Sequence, residues 1–145
     1  MTAGKFLIEM TDERFFMPAN DEVIEFIRRV NPSAHSDVGS VLLELCADEP
    51  GAHAYSPSFK SCAYVVLHTD RNRIFAIAFG QRGLAFRLST SEVDEAIRDG
   101  GLRESSIGND WVRFSPWDEA GKTGTSERLR RWFARAYDAA VRTKG

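Results

Sequence analysis

Residues 73–89 read Arg-Ile-Phe-Ala-Ile-Ala-Phe-Gly-Gln-Arg-Gly-Leu-Ala-Phe-Arg-Leu-Ser, and this stretch decides the fold. Two runs rich in aromatic and aliphatic residues, 73–79 and 84–89, flank a short segment that begins and ends with glycine. Such runs are typical of β-strands, and paired glycines tolerate the positive φ angles that tight connections need. The stretch therefore predicts an antiparallel β-hairpin.

The first strand of this hairpin is apolar on both faces. Strict alternation points Phe75, Ile77 and Phe79 to one face of the strand. Ile74, Ala76 and Ala78 then point to the other face, which is the smaller one. Antiparallel sheets with one wet face usually alternate apolar with polar residues, and this strand does not. Something is therefore expected to lie close against the small face, and a helix, a second chain or a ligand would each fit.

Apolar residues at helical spacing predict four helices around the hairpin. The first is predicted to begin at an N-cap formed by Asn20, and the second is predicted to be capped by Ser36 or Asp37. A middle helix is expected over residues 92–98, with Thr90 and Ser91 before it as the helix start. The clearest periodicity, over residues 129–141, predicts a long C-terminal helix.

The remaining apolar runs complete the predicted fold class. Residues 62–69 and 111–115 are expected to form further strands, and residues 5–10 either a strand or an arm on the core. The sequence thus predicts an α+β fold, with an antiparallel β-sheet of about four to five strands packed against helices. Two helices lie N-terminal, one lies in the middle and a long one is C-terminal. We expect a single domain over residues 1–145.

Charge and composition narrow the classes of function. The chain has 145 residues, a formal net charge of −2 and a hydrophobic fraction of 43%. The slight acidic excess is unlike the basic excess of most dedicated nucleic-acid binders. No signal peptide is expected, because residues 1–5 lack a long apolar run, and no apolar run in the sequence approaches the roughly 20 residues that a membrane span needs. A cytoplasmic location is expected.

No pattern of catalytic or metal-binding residues stands out. His35, His53 and His68 have no partner at ligand spacing, and Cys46 and Cys62 do not form a Cys-x-x-Cys pair. The glycine-rich segments 80–83 and 121–125 match neither phosphate-binding pattern. We therefore predict no metal and no cofactor.

Aromatic and arginine side chains are the best candidates for a binding surface, because both residue types are enriched at interfaces. The predicted binding residues are Tyr55, Phe59, Arg82, Arg87, Arg113 and Trp117. The leading functional prediction is a non-catalytic binding or protein-interaction domain that forms a homodimer. A small molecule or another protein is an alternative partner.

Two alternative functions remain open from the sequence. The arginines of the last predicted helix, Arg130, Arg131 and Arg135, could contact nucleic acid. A small enzyme could instead have a pocket near His53, Tyr55 and Arg113. Sequence alone does not decide whether those three residues meet in space.

The order of elements between residues 63 and 137 resembles a known type of small bacterial protein. The hairpin is followed by a helix, by Asp-Trp-Val-Arg-Phe-Ser-Pro-Trp at 110–117 and by an amphipathic helix. This order is similar to that of the MmcQ/YjbR and TfoX N-terminal families. The resemblance implies a curved antiparallel sheet packed against helices and, for MmcQ/YjbR-like proteins, a suggested role in DNA binding.

Overall fold

A computed structural model describes residues 16–30, 34–56, 64–68, 71–80, 83–118 and 120–142. Its helices are α1 (Asp21–Val30), α2 (Ser36–Ala47), α3 (Thr90–Arg98) and α4 (Glu127–Arg142), and a short 3-10 turn (Pro18–Asn20) precedes α1. Its strands are β1 (Ala52–Tyr55), β2 (Tyr64–His68), β3 (Ile74–Phe79), β4 (Gly83–Arg87), β5 (Leu102–Arg103) and β6 (Trp111–Phe114). The predicted segment 5–10 lies outside the described residues.

The strands form one antiparallel sheet in the order β1-β2-β3-β4-β6-β5. The predicted α+β class is confirmed, with two N-terminal helices, a middle helix and a long C-terminal helix. Two short strands, β1 and β5, were not assigned from the sequence. His53 lies on β1.

The predicted hairpin is formed by β3 and β4, with Phe79 paired to Gly83. Gly80 has a φ of 60°, which suits a residue without a side chain. At Gly83 the constraint is space, because a Cβ atom there would lie 2.7 Å from the carbonyl oxygen of Phe79. Steric constraints thus explain why a glycine stands at each end of the connection between β3 and β4.

Strict alternation along β3 was the wrong prediction. Val66 pairs with Ala76 while Leu67 pairs with Ile74, so Phe75 is an additional residue in a β-bulge. The bulge turns Phe75 to the face of Ala76 and Ala78, where its ring lies 5.4 Å from that of Phe133. Ile74, which was predicted on that face, lies on the opposite face with Ile77.

Helices of the same chain cover both faces of the sheet. The face with Ala76 and Ala78 packs against α2, α3 and α4 in one buried cluster. The opposite face, with Ile74 and Ile77, packs against α1 in a second cluster. The small residues are thus explained by close approach of the protein's own helices. The homodimer stays a prediction, but the small face no longer argues for it.

Asn20, the predicted N-cap, directly precedes α1. Its side chain is fully buried, donates to the carbonyl oxygen of Asn72 at 2.8 Å and accepts from the amide of Ile74 at 2.8 Å. Asn20 therefore ties the turn before α1 to the start of β3, and its role as an N-cap stays a prediction. The cap of α2 was assigned wrongly: the Nδ1 atom of His35 accepts from the amide of Asp37, so His35 caps α2.

Candidate functional site

A polar cavity of about 470 Å³ opens where the start of α1, the end of β4, the start of α3 and the loop before β6 meet. We call it the charged cleft. Its lining residues are mostly charged or polar: Glu22, Arg87, Thr90, Val93, Asp94, Arg103, Asn109 and Asp110. A volume of this size suits a small-molecule ligand.

Arg87 anchors the cleft at the last position of β4. Its Nε donates to Asp110 at 2.9 Å, and one terminal nitrogen donates to the carbonyl oxygen of Ala19 at 2.6 Å. The carboxylate of Glu22 lies 3.9 Å from the other terminal nitrogen. Arg87 and Trp111 pair across β4 and β6, which brings Asp110 beside the arginine. Only 15% of the Arg87 side chain is exposed, so these contacts fix its position.

Arg73 lies beside the cleft, one residue before β3, and differs from Arg87 in its contacts. In the described part of the chain its half-buried guanidinium has neither a hydrogen bond nor an ion pair within 4 Å. Burial lowers the pKa of Arg73, and repulsion from Arg87 lowers it further, while Asp110 and Glu22 act in the opposite direction. The charge of Arg73 is thus held near three lining residues without a close partner.

The residue before Arg73 is also unusual. Asn72 has a φ of 52°, a left-handed conformation that few residues other than glycine adopt. Its Oδ1 atom is buried and accepts no hydrogen bond in the described part of the chain. Unsatisfied buried polar atoms tend to occur at functional sites. Asn72 and Arg73 are therefore two neighbouring polar residues with a group that has no close partner among the described residues.

The outer side of the cleft carries weaker charge pairs. Arg103 lies 3.6 Å from Asp94 and donates to the carbonyl oxygen of Asn109 at 3.0 Å. Neither Asp94 nor Glu22 accepts a hydrogen bond from a described residue, and their side chains are 76% and 51% exposed. Both carboxylates keep free acceptor capacity towards solvent.

Of the predicted binding residues, Arg87 is the one that lines this cleft. Tyr55 is 3% exposed and belongs to the core under α1, so a role on a binding surface was the wrong prediction for it. Arg113 faces Glu104 at 3.3 Å, away from the cleft lining. Phe59 and Arg82 lie outside the described residues.

Trp117 lies in a different region. It is half-buried, its ring meets that of His35 edge-on at 5.4 Å, and it lines a cavity of about 530 Å³ between the loop 115–126 and the first turn of α4. The predicted binding residues therefore do not form one surface.

The order of strands in the sheet separates the three residues that were predicted to form an enzyme pocket. His53 and Tyr55 lie on β1, and Arg113 lies on β6, four strand positions away. Neighbouring strands are about 4.8 Å apart, so these residues are roughly 19 Å apart across the sheet. The hypothesis of a shared pocket at these three residues was wrong.

The three arginines predicted to bind nucleic acid all have acidic neighbours. Arg131 contacts Asp99 at 2.6 Å, Arg135 contacts Glu95 at 2.8 Å, and Arg130 lies 3.9 Å from Asp48. Arg135 also stacks over the ring of Trp132 at 4.7 Å. Nucleic-acid binding stays a prediction, but these ion pairs reduce the positive potential that it would need.

Sequence reasoning missed Arg73, Arg103 and the three carboxylates of the cleft. One signal was available, because the antiparallel hairpin places the start of β3 beside the end of β4, and therefore Arg73 near Arg87. No local pattern marks the others, since they come from α1, α3, β5 and the loop before β6.

Among the described residues, no three His, Cys, Asp or Glu side chains converge to hold a metal ion. None of the described helices is both long and apolar enough to cross a lipid bilayer. Comparisons with protein-family models, curated proteins and solved structures found no match to this chain. The resemblance to the MmcQ/YjbR and TfoX families therefore stays a prediction.

Proposed function

We propose that this protein is a non-catalytic binding domain whose charged cleft holds a small molecule with an acid group. The observation that carries the proposal is Arg73, a half-buried guanidinium with no close partner in the described part of the chain. A carboxylate or phosphate would supply the missing partner.

The energetics favour a ligand at this position. Burying a charge without a partner is costly, and proteins normally pair such charges. The planar guanidinium donates two parallel hydrogen bonds to a carboxylate or phosphate, which gives both affinity and orientation. Arg87 beside it is already fixed by Asp110 and Ala19, so the site is largely formed before a ligand binds.

The lining supports binding rather than catalysis. The cleft contains arginines, carboxylates, Thr90, Asn109 and Val93, with no histidine, cysteine or lysine among the lining residues. Arginine stays protonated in proteins and does not exchange protons near neutral pH. The carboxylate closest to Arg87, that of Asp110, is held in a hydrogen bond at 2.9 Å.

The test is calorimetric titration of the purified protein with succinate, glutarate and inorganic phosphate. We expect at least one of these acids to bind, and Arg73→Gln to weaken that binding about tenfold or more, because a charge-assisted bidentate contact is lost. Arg130→Gln is the matched control, since Arg130 is an exposed arginine on α4, outside the cleft. No binding of any acid, or equal weakening by both variants, would refute the proposal.

A further inference from the structure

With Arg73 beside it included, the charged cleft has as many acidic as basic side chains. Arg87 and Arg103 line it and Arg73 adjoins it, while Glu22, Asp94 and Asp110 supply three carboxylates. A purely anionic ligand would meet attraction from the arginines and repulsion from the carboxylates. The balance of charge in the cleft therefore constrains which charged groups the ligand carries.

The three carboxylates of the cleft differ in how closely they are paired with arginines. Asp110 is occupied by Arg87 at 2.9 Å, whereas Glu22 and Asp94 form only long ion pairs, at 3.9 Å and 3.6 Å. Both of these carboxylates are more than half exposed and accept no hydrogen bond from a described residue. An ammonium group donates three hydrogen bonds and suits such acceptors.

The Glu22 carboxylate lies close to the backbone of Gly108. A Cβ atom on Gly108 would collide with that carboxylate. The glycine therefore leaves room for the Glu22 carboxylate beside Asn109 and Asp110.

We infer that the ligand is a small zwitterion, an amino acid or a similarly sized molecule with an ammonium group as well as an acid group. Arg73 and Arg87 hold the acid group, and Glu22 and Asp94 hold the ammonium group. The inference rests on the proposed function, because it assigns the arginine side of the cleft to the acid group.

The test compares matched ligands that differ in the ammonium group. L-glutamate and glutarate share a five-carbon dicarboxylate skeleton, as L-aspartate and succinate share a four-carbon one. A solvent-exposed charge pair changes a binding constant by up to about fivefold, and two carboxylates contribute here. We expect an amino acid to bind at least about fivefold more tightly than its deaminated counterpart, and to lose affinity in Arg73→Gln.

Two variants test whether Asp94 and Glu22 bind the ammonium group. Asp94→Asn and Glu22→Gln should each weaken the amino acid towards the affinity of its deaminated counterpart, and should leave the latter unchanged or tighter. Glu44→Gln is the matched control, because Glu44 is an exposed carboxylate on α2, which does not line the cleft. It should change neither affinity.

The outcomes separate the two proposals. If a deaminated acid binds as tightly as its amino acid, or more tightly, the inference is overturned while the proposed function stands. The inference is also overturned if Asp94→Asn and Glu22→Gln affect both ligands equally. If neither amino acids nor deaminated acids bind, both proposals fail.

Discussion

Two arginine-rich regions of this molecule differ in how their charges are neutralised. On the outer side of α4, Asp99 accepts hydrogen bonds from Arg131 at 2.6 Å and from the indole of Trp132 at 2.7 Å. Arg128 lies 3.9 Å from the same carboxylate. We call these four residues the Asp99 cluster. In the charged cleft, by contrast, Arg73 has no such carboxylate within contact distance among the described residues.

The comparison teaches that the number of arginines is a poor guide to function. The C-terminal helix is rich in arginine, yet its ion pairs connect α4 to α3 and stabilise the packing between them. The cleft has fewer arginines, but Arg73 beside it is half-buried without a close partner among the described residues. A charge that folding leaves unsatisfied is a better indication of a binding site than a charged helix face.

The largest effect is expected at Asn20, which connects the turn before α1 to the start of β3. Asn20→Ala leaves the amide of Ile74 and the carbonyl oxygen of Asn72 without their side-chain partner. Each unsatisfied buried group costs about 1–3 kcal/mol, so we expect the free energy of unfolding to fall by about 3 kcal/mol. Urea unfolding of the variant measures this.

The control for this prediction is Asn109→Ala, at an exposed asparagine in the cleft lining. Exposed substitutions usually change stability by less than about 0.5 kcal/mol. A loss of similar size in both variants would show that Asn20 does not connect the turn before α1 to β3 in the way described.

A matched pair of arginine substitutions tests the comparison directly. Arg73→Gln removes a half-buried charge without a partner, and we expect stability to rise by about 0.5–1 kcal/mol, as when a functional site is relieved of strain. Arg131→Gln removes an exposed but well-aligned ion pair, and we expect a loss of about 0.5–1 kcal/mol. Thermal or urea unfolding without added ligand measures the direction of both changes in stability. Destabilisation by Arg73→Gln would make Arg73 a structural residue and break the contrast.

The smallest effect is expected from the titration of Asp99, because its carboxylate is one-third exposed and therefore screened by solvent. Hydrogen bonds from Trp132 and then from Arg131 hold the pKa of Asp99 below its ordinary value of 3.8. A carboxyl group whose pKa is lowered by folding stabilises the protein above its unfolded pKa. That contribution is lost as the pH falls from about 4 through the lower folded value.

Unfolding measured from about pH 5 to about pH 2 should therefore show a shallower acid decline in Asp99→Asn than in the unsubstituted protein. Asparagine keeps an oxygen that can accept from the Trp132 indole, so the variant isolates the titration from the packing. Identical slopes would mean that Asp99 does not contribute to acid stability.

Most of the fold could be predicted from local patterns. The hairpin follows from two apolar runs and the glycines at 80 and 83, and α4 follows from an apolar stripe over 129–141. These signals depend on residues close together in the chain, so the sequence contains them in full. The short strands β1 and β5 gave no such signal, because β5 has only two residues and β1 only four.

The candidate site could be predicted only in part. Arg87 was named for its residue type on a strand, and it does line the cleft. Tyr55 was also named for its residue type, yet α1 buries it. No property of either residue's immediate neighbours distinguishes the two outcomes.

By itself, the sequence determined the elements: which runs form strands, which stripes form helices, and that β3 would need close cover on its small face. Only the tertiary structure decided what covers that face, that a bulge turns Phe75 towards α4, and which arginines have carboxylate partners. The physical reason is distance along the chain. Secondary structure depends on periodicity over neighbouring residues, whereas the pairing of Arg131 with Asp99, or its absence at Arg73, depends on groups brought together by packing.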